Sequence, residues 1–111
     1  MRRPDVLRDN RDFKRLKSKG KSVGSKNLVL IFYKNDLDFN RYAVLASKKV
    51  GNSVKRNRVR RLIKESLRTQ KQDIKQGYDI LFIARSQAAR ATFAEVSESM
   101  NITLTRSGLY Q

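Results

Sequence analysis

The sequence predicts an α+β fold: a two-layer sandwich in the order α-β-β-β-α-β-α on a four-stranded mixed sheet. Three observations predict it. Two short runs, NLVLIFYK (Asn27–Lys34) and YDILFIA (Tyr78–Ala84), are apolar at consecutive positions and rich in β-branched and aromatic residues, the mark of strands covered on both faces. A long segment from Ser53 to about Lys71 places Val59, Leu62, Ile63, Ser66 and Leu67 within one arc at about 100° per residue, which is a buried helical stripe. The order strand, helix, strand around that segment implies a parallel pair within the sheet.

Each element follows from local signals. Asp9 or Asn10 is a good N-cap for an opening helix that turns Phe13 and Leu16 inward and ends at Gly20. KSVG after it gives a very short strand. NDLDFN (Asn35–Asn40) is a turn, with Asp36 and Asp38 as turn formers. RYAVLASKKV (Arg41–Val50) gives the next strand, finishing in Lys48 and Lys49, and Gly51-Asn52 leads to the long helix with Ser53 as its N-cap. Gly77 closes the loop before the last strand. Thr92 and Glu95 have capping-box spacing, and Phe93, Val96, Met100 and Leu104 carry a final helix to about Ser107. The length of 111 residues suits one domain, residues 1–111, with residues 1–7 loose.

Composition narrows the function. Lys and Arg number 26 against 10 acids, a formal charge of +16, and this excess stores self-repulsion that a polyanion relieves. Apolar residues make up 39%, enough for a core, so the charge does not signal disorder. The chain has no Cys and no His, which removes zinc fingers, thiol nucleophiles and imidazole bases. The longest apolar run, Leu28 to Tyr33, is six residues, far short of a membrane span. These features point to a cytoplasmic protein with a nucleic-acid partner and no membrane, and they remove thiol and imidazole chemistry from the chain.

The long helix carries the sharpest signal. VKRNRVRRLIKESLR (Val54–Arg68) holds seven Lys or Arg, and Glu65 is the only acid between Ser53 and Lys71. Lys55, Arg56, Arg58, Arg60 and Arg61 crowd the first two turns, beside the positive end of the helix dipole, at a combined cost of about 1–2 kcal/mol. A solvated face mixes charge signs in i,i+4 pairs; this one does not. A bound phosphate reverses the sign, because free N–H groups, dipole and Arg forks all favour an anion there. Lys48, Lys49, Lys55, Arg56, Asn57, Arg58, Arg60, Arg61, Lys64 and Arg68 are therefore the candidate nucleic-acid-binding residues.

At these residues a family resemblance appears. SKKVGNSVKRNRVRRLIKE (Ser47–Glu65) resembles the signature of the bacterial ribonuclease P protein component, whose hallmark Arg-Asn-Arg is Arg56-Asn57-Arg58 here. LRDNRDFKRLKSKGKSV (Leu7–Val23) resembles the family's opening helix and DILFIAR (Asp79–Arg85) its last strand, so the likeness spans nearly the whole chain. The resemblance implies a left-handed βαβ crossover of the kind shared by domains of a ribosomal protein and of elongation factor G, against the usual right-handed rule. It implies a holoenzyme in which ribonuclease P RNA, with RNA-bound magnesium, removes the 5′ leader of precursor tRNA. The protein's basic helix would dock on that RNA, so the resemblance makes the ten candidates from Lys48 to Arg68 RNA-binding residues. A cleft between the opening helix and the sheet would hold the leader, with Phe13, Lys14, Lys17, Ile31 and Tyr33 lining it. The sequence departs from the family pattern at Ser53, commonly Ala, at Lys17, often a second aromatic, and near Ile31, where the aromatics shift to Phe32 and Tyr33.

Two other classes share some of these features. A ribosomal or general RNA-binding protein would have the same charge and sheet without preference for ribonuclease P RNA. A DNA-binding or membrane-surface protein could use a basic amphipathic helix, but the apolar stripe is needed for the core and no helix-turn-helix spacing is present.

Overall fold

In the computed structural model, which describes residues 5–110, Asp9 caps the opening helix α1 (Asn10–Lys19) by accepting the Arg11 backbone N–H, and Gly20 ends it by donating to the Leu16 carbonyl. The chain then forms β1 (Lys21–Gly24), β2 (Leu28–Lys34), β3 (Arg41–Leu45), α2 (Ser53–Gln70), β4 (Tyr78–Ala84) and α3 (Phe93–Ser107). A short 3-10 turn (Lys71–Asp73) follows α2, and a 3-10 segment (Ser86–Arg90) precedes α3. The capping box of α3 is present, Thr92 and Glu95 each bonding the other's backbone N–H. Gly108 ends α3 in the left-handed conformation, φ 79°, that a side chain disfavours.

The sheet runs in the order β1-β2-β4-β3, with β1–β2 and β2–β4 antiparallel and β3–β4 parallel. The parallel pair is the one expected from strand, helix, strand. Because side chains alternate along a strand, the sheet has two distinct faces. Leu28, Leu30, Tyr42, Ile80 and Phe82 join Val59, Ile63, Val96, Met100 and Leu104 of α2 and α3 in the main core. Ile31, Tyr33, Ala43, Leu81 and Ile83 lie on the other face, where Leu7, Phe13 and Leu16 form a smaller cluster with them. The two-layer sandwich thus describes the main core, and α1 adds a partial third layer.

Three expectations are corrected. Strand β3 stops at Leu45, five residues short of Val50; Ser47 and Lys48 carbonyls accept from the Val50 and Gly51 N–H groups in a turn, and Val50 is buried as its plug. The N-cap of α2 is Asn52, whose side chain accepts the Lys55 N–H at 3.0 Å while its backbone is extended, and Ser53 becomes the first helical residue. Of the start expected to be loose, residues 1–4 lie outside the described residues, and the rest is not loose. Asp5–Leu7 run beside β3: Leu7 N–H donates to the Tyr42 carbonyl, Tyr42 N–H donates to Asp5, and Leu7 is only 4% exposed.

Candidate nucleic-acid interface

On α2 the expected stripe faces the core: Val59, Ile63, Ser66 and Leu67 are buried and Leu62 half-buried. The opposite surface carries Lys55, Asn57, Arg58, Arg61, Lys64 and Arg68, all exposed, with Arg56 and Arg60 half-buried; the first turn has no acid. Lys48 and Lys49 stand exposed in the turn leading into the helix.

These cations are not equivalent. Arg56 donates to the Gly51 carbonyl at 2.8 Å and to Ser53 Oγ at 3.2 Å, folding back over the turn before the helix. Arg58 donates to the Ala91 carbonyl at 3.0 Å and to Ala89 at 3.4 Å, so it ties α2 to the segment before α3. Arg60 bonds Asn57, and Arg68 pairs with Glu65, which lowers the Glu65 pKa through that hydrogen bond. None of the ion pairs among the described residues involves Lys48, Lys49, Lys55, Arg61 or Lys64. The sequence placed all ten residues in one class; the structure divides them into cations that also brace the fold and cations with unoccupied heads. A guanidinium has five donors, so the bracing arginines keep some for a ligand.

The cleft residues come together in part. Phe13, Ile31 and Tyr33 are half-buried in the smaller cluster, under α1 as the alternation of β2 requires. Lys14 and Lys17 point from α1 into solvent. Sequence reasoning missed two participants. The Arg15 guanidinium lies 6.0 Å from the centre of the Tyr33 ring, close enough for a cation–π contact, and also binds Asp12 at 2.7 Å. Arg41 forks onto buried Asp79 with two bonds of 2.8 Å and reaches Asp12 of α1 at 3.1 Å. Asn35 donates to the same Asp79 at 3.1 Å. Hydrogen bonding to Asp79 raises the Arg41 pKa above its ordinary value. The Asp12–Arg15 spacing of three was legible in the sequence; the Arg41–Asp79 pairing, 38 residues apart, was not.

A concavity of about 630 Å³ runs between α2 and the β3 side of α1; of the expected cleft residues Phe13 lines it, whereas Lys14, Lys17, Ile31 and Tyr33 lie outside it. Arg8, Phe13, Ala43 and Leu45 line one side, and Arg61, Lys64 and Arg68 of α2 line the other. Leu45 is 38% exposed there although it belongs to a strand. The result is a groove with an apolar floor and basic walls, suited to a strand whose phosphates meet Arg and Lys while bases lie against apolar side chains. Asp36 adopts φ 63° in its turn, as a turn former does, and no group of three or more Asp or Glu gathers among the described residues to hold a metal.

The family model for ribonuclease P matches residues 1–108. The chain is 42% identical over 112 residues to the ribonuclease P protein component of Clostridium novyi, covering 99% of both chains. It is 41% identical over 105 residues to that of Caldanaerobacter subterraneus, covering 95% of this chain and 90% of the relative. Among solved structures it resembles the Staphylococcus aureus RNase P protein, with TM-score 0.88 and 31% identity over 98% of this chain and all of that one. The Thermotoga maritima RNase P protein superposes with TM-score 0.82 and 32% identity over 91% of this chain and 96% of the other. A basic helix and a half-open cleft on this sheet order, in a chain matched along nearly its whole length, place the protein in the ribonuclease P protein family.

Proposed function

We propose that the chain is the protein subunit of ribonuclease P: it binds ribonuclease P RNA through α2 and holds the 5′ leader of precursor tRNA in the groove beside α1. The observation that carries this reading is the row of unpaired cations, Arg61 and Lys64 foremost, on the wall of a groove whose floor is Phe13, Ala43 and Leu45. Cation heads on a rigid helix take phosphates, and a partly apolar floor takes unstacked bases. The chain has no His or Cys, and its best-buried carboxylate, Asp79, is engaged by Arg41 and Asn35. The cleavage chemistry is therefore assigned to the RNA and its magnesium, and the protein's part is to bind and orient.

Reconstitution tests this reading. The protein is mixed with a bacterial ribonuclease P RNA and precursor tRNA at low magnesium, and mature 5′ ends are scored. Cleavage that depends on the protein is the expected result. A protein that binds this RNA no better than unrelated structured RNAs of equal length, and does not stimulate cleavage, would identify a general RNA-binding module instead.

A further inference from the structure

We infer a second phosphate-docking surface for the partner RNA, in a concavity of about 600 Å³ between the β1–β2 turn, the first turn of α2 and the 3-10 segment before α3. Lys26, Lys55 and Arg90 each enter it from a different one of these elements, with Ser86 and Gln87 between them. It shares no lining residue with the groove beside α1. Lys26 and Arg90 belong to neither the basic helix nor the cleft, and no helical or strand periodicity in the sequence marks them.

Two properties distinguish the concavity from ordinary solvated surface. Its walls are fixed from behind. The Arg85 N–H donates to the Asn27 carbonyl at 2.9 Å, Asn27 Nδ2 donates to Ser99 Oγ at 3.0 Å, and Arg58 holds the Ala89 and Ala91 carbonyls. Ala88 and Ala91 are buried at 0% and 4% exposure, so the segment bearing Arg90 is anchored on both sides of it. Its cation heads, in contrast, form no ion pair: among the described residues none involves Lys26, Lys55 or Arg90, although the Lys26 charge is felt by Glu95 on the rim. The one acid on the rim, Glu95, is committed to the Thr92 N–H in the capping box. Two further cations, Arg85 and Arg106, converge on Gly24 next door: a Cβ there would meet the Arg85 guanidinium at 2.5 Å, and Arg106 reaches the Gly24 carbonyl at 3.5 Å.

The ligand chemistry follows from what lines the site. No aromatic side chain is present to stack a base, and the cations are spread over three elements rather than converging on one point. Such a site suits successive backbone phosphates of a folded RNA, contacts that position a protein without reading sequence. Lys55 lies on both this rim and the first turn of α2, so the surface continues the helix interface and rests on that reading of α2.

The test compares two charge-neutralising pairs in binding to ribonuclease P RNA over a salt series: Lys26→Gln with Arg90→Gln, and Arg61→Gln with Lys64→Gln. All four side chains are exposed, and matching thermal melts verify the fold. Each pair is expected to weaken binding and to reduce the log–log salt slope by about two, and the quadruple variant by about four. Unchanged affinity and slope for the Lys26/Arg90 pair would overturn the inference, whatever the helix pair does. Loss confined to the Lys26/Arg90 pair would overturn the helix reading and leave this surface as the RNA contact. Because the chain has no Cys, a Gln87→Cys variant takes a single tethered iron chelate. Discrete cleavage of the bound RNA from that tether is expected; intact RNA would also overturn the inference.

Discussion

On one face of the sheet Leu30, Ile80 and Phe82 are wholly buried beneath α2 and α3; on the other, Leu81 is buried but Ile31, Tyr33 and Ile83 are only half-buried beneath α1 and Leu7. The strands are apolar on both faces, so the difference lies in the cover. Two helices of 18 and 15 residues close the first face, whereas a single helix of 10 residues rests on the second. Apolar surface left half-covered forfeits about 25 cal/mol per Å² relative to full burial. A protein selected only for stability would extend that cover. The first face holds the fold and the second keeps a groove.

The largest expected effect sharpens this contrast. Phe82→Ala, in the closed core, should cost about 3–5 kcal/mol, while Ile31→Ala on the half-open face should cost about 1–2 kcal/mol because part of the side chain already meets water. Urea unfolding of both variants measures the difference; equal losses would show that both faces are structural. Asp79→Asn comes next. It leaves the Arg41 guanidinium, 22% exposed, without its buried partner and loosens the link through Arg41 to Asp12 of α1. Removing one partner of a largely buried pair costs about 2–4 kcal/mol after allowing for that exposure. Faster hydrogen exchange across α1 than across α3 would locate the damage on the open face.

How much of this was legible in the sequence depended on the range of the interaction. α1, β2, β4 and α3 were readable because their signals are local: an Asp9 cap, continuous apolar runs, a Thr92–Glu95 capping box. The end of β3 was misread because Val50 has strand character but is buried from a turn. The cap moved from Ser53 to Asn52 because both are good caps and only the backbone path after Gly51, at φ 142°, decides between them. Residues of the basic helix were readable as a set, whereas their division was not. The carbonyls that Arg58 binds lie 31 and 33 residues away, and no sequence pattern couples them.

Tyr33 tests the open face directly. Its ring is half-buried with Arg15 over it, and loss of a stacked base costs about 1–3 kcal/mol. In the holoenzyme, Tyr33→Ala should narrow the affinity gap between precursor and mature tRNA by that amount without weakening the protein–RNA complex. Equal affinity of the wild-type holoenzyme for both tRNAs would refute leader binding at this face.

The smallest expected effect comes from α2, the one helix that serves both sides. Arg58 turns toward the closed side, onto the Ala89 and Ala91 carbonyls, and Arg61 turns toward the groove. The helix dipole opposes cations by a few tenths of a kcal/mol in the first turn and fades beyond it, so it weighs little on Arg58 in the second turn and less on Arg61 in the third. Arg61 makes no ion pair among the described residues, so Arg61→Ala should leave stability unchanged while weakening RNA binding and reducing the salt slope by about one. Arg58 also makes two charged hydrogen bonds to backbone carbonyls, which outweigh the dipole term, so Arg58→Ala should lose about 1 kcal/mol. Arg58→Lys should recover only part of that, because an ammonium cannot fork across two carbonyls as a guanidinium does. Urea midpoints and RNA titrations on the three variants separate the roles. Arg58→Ala as stable as wild type would mean that the contact with the α3 segment contributes nothing, and that Arg58 belongs with Arg61 as a cation held for the ligand alone.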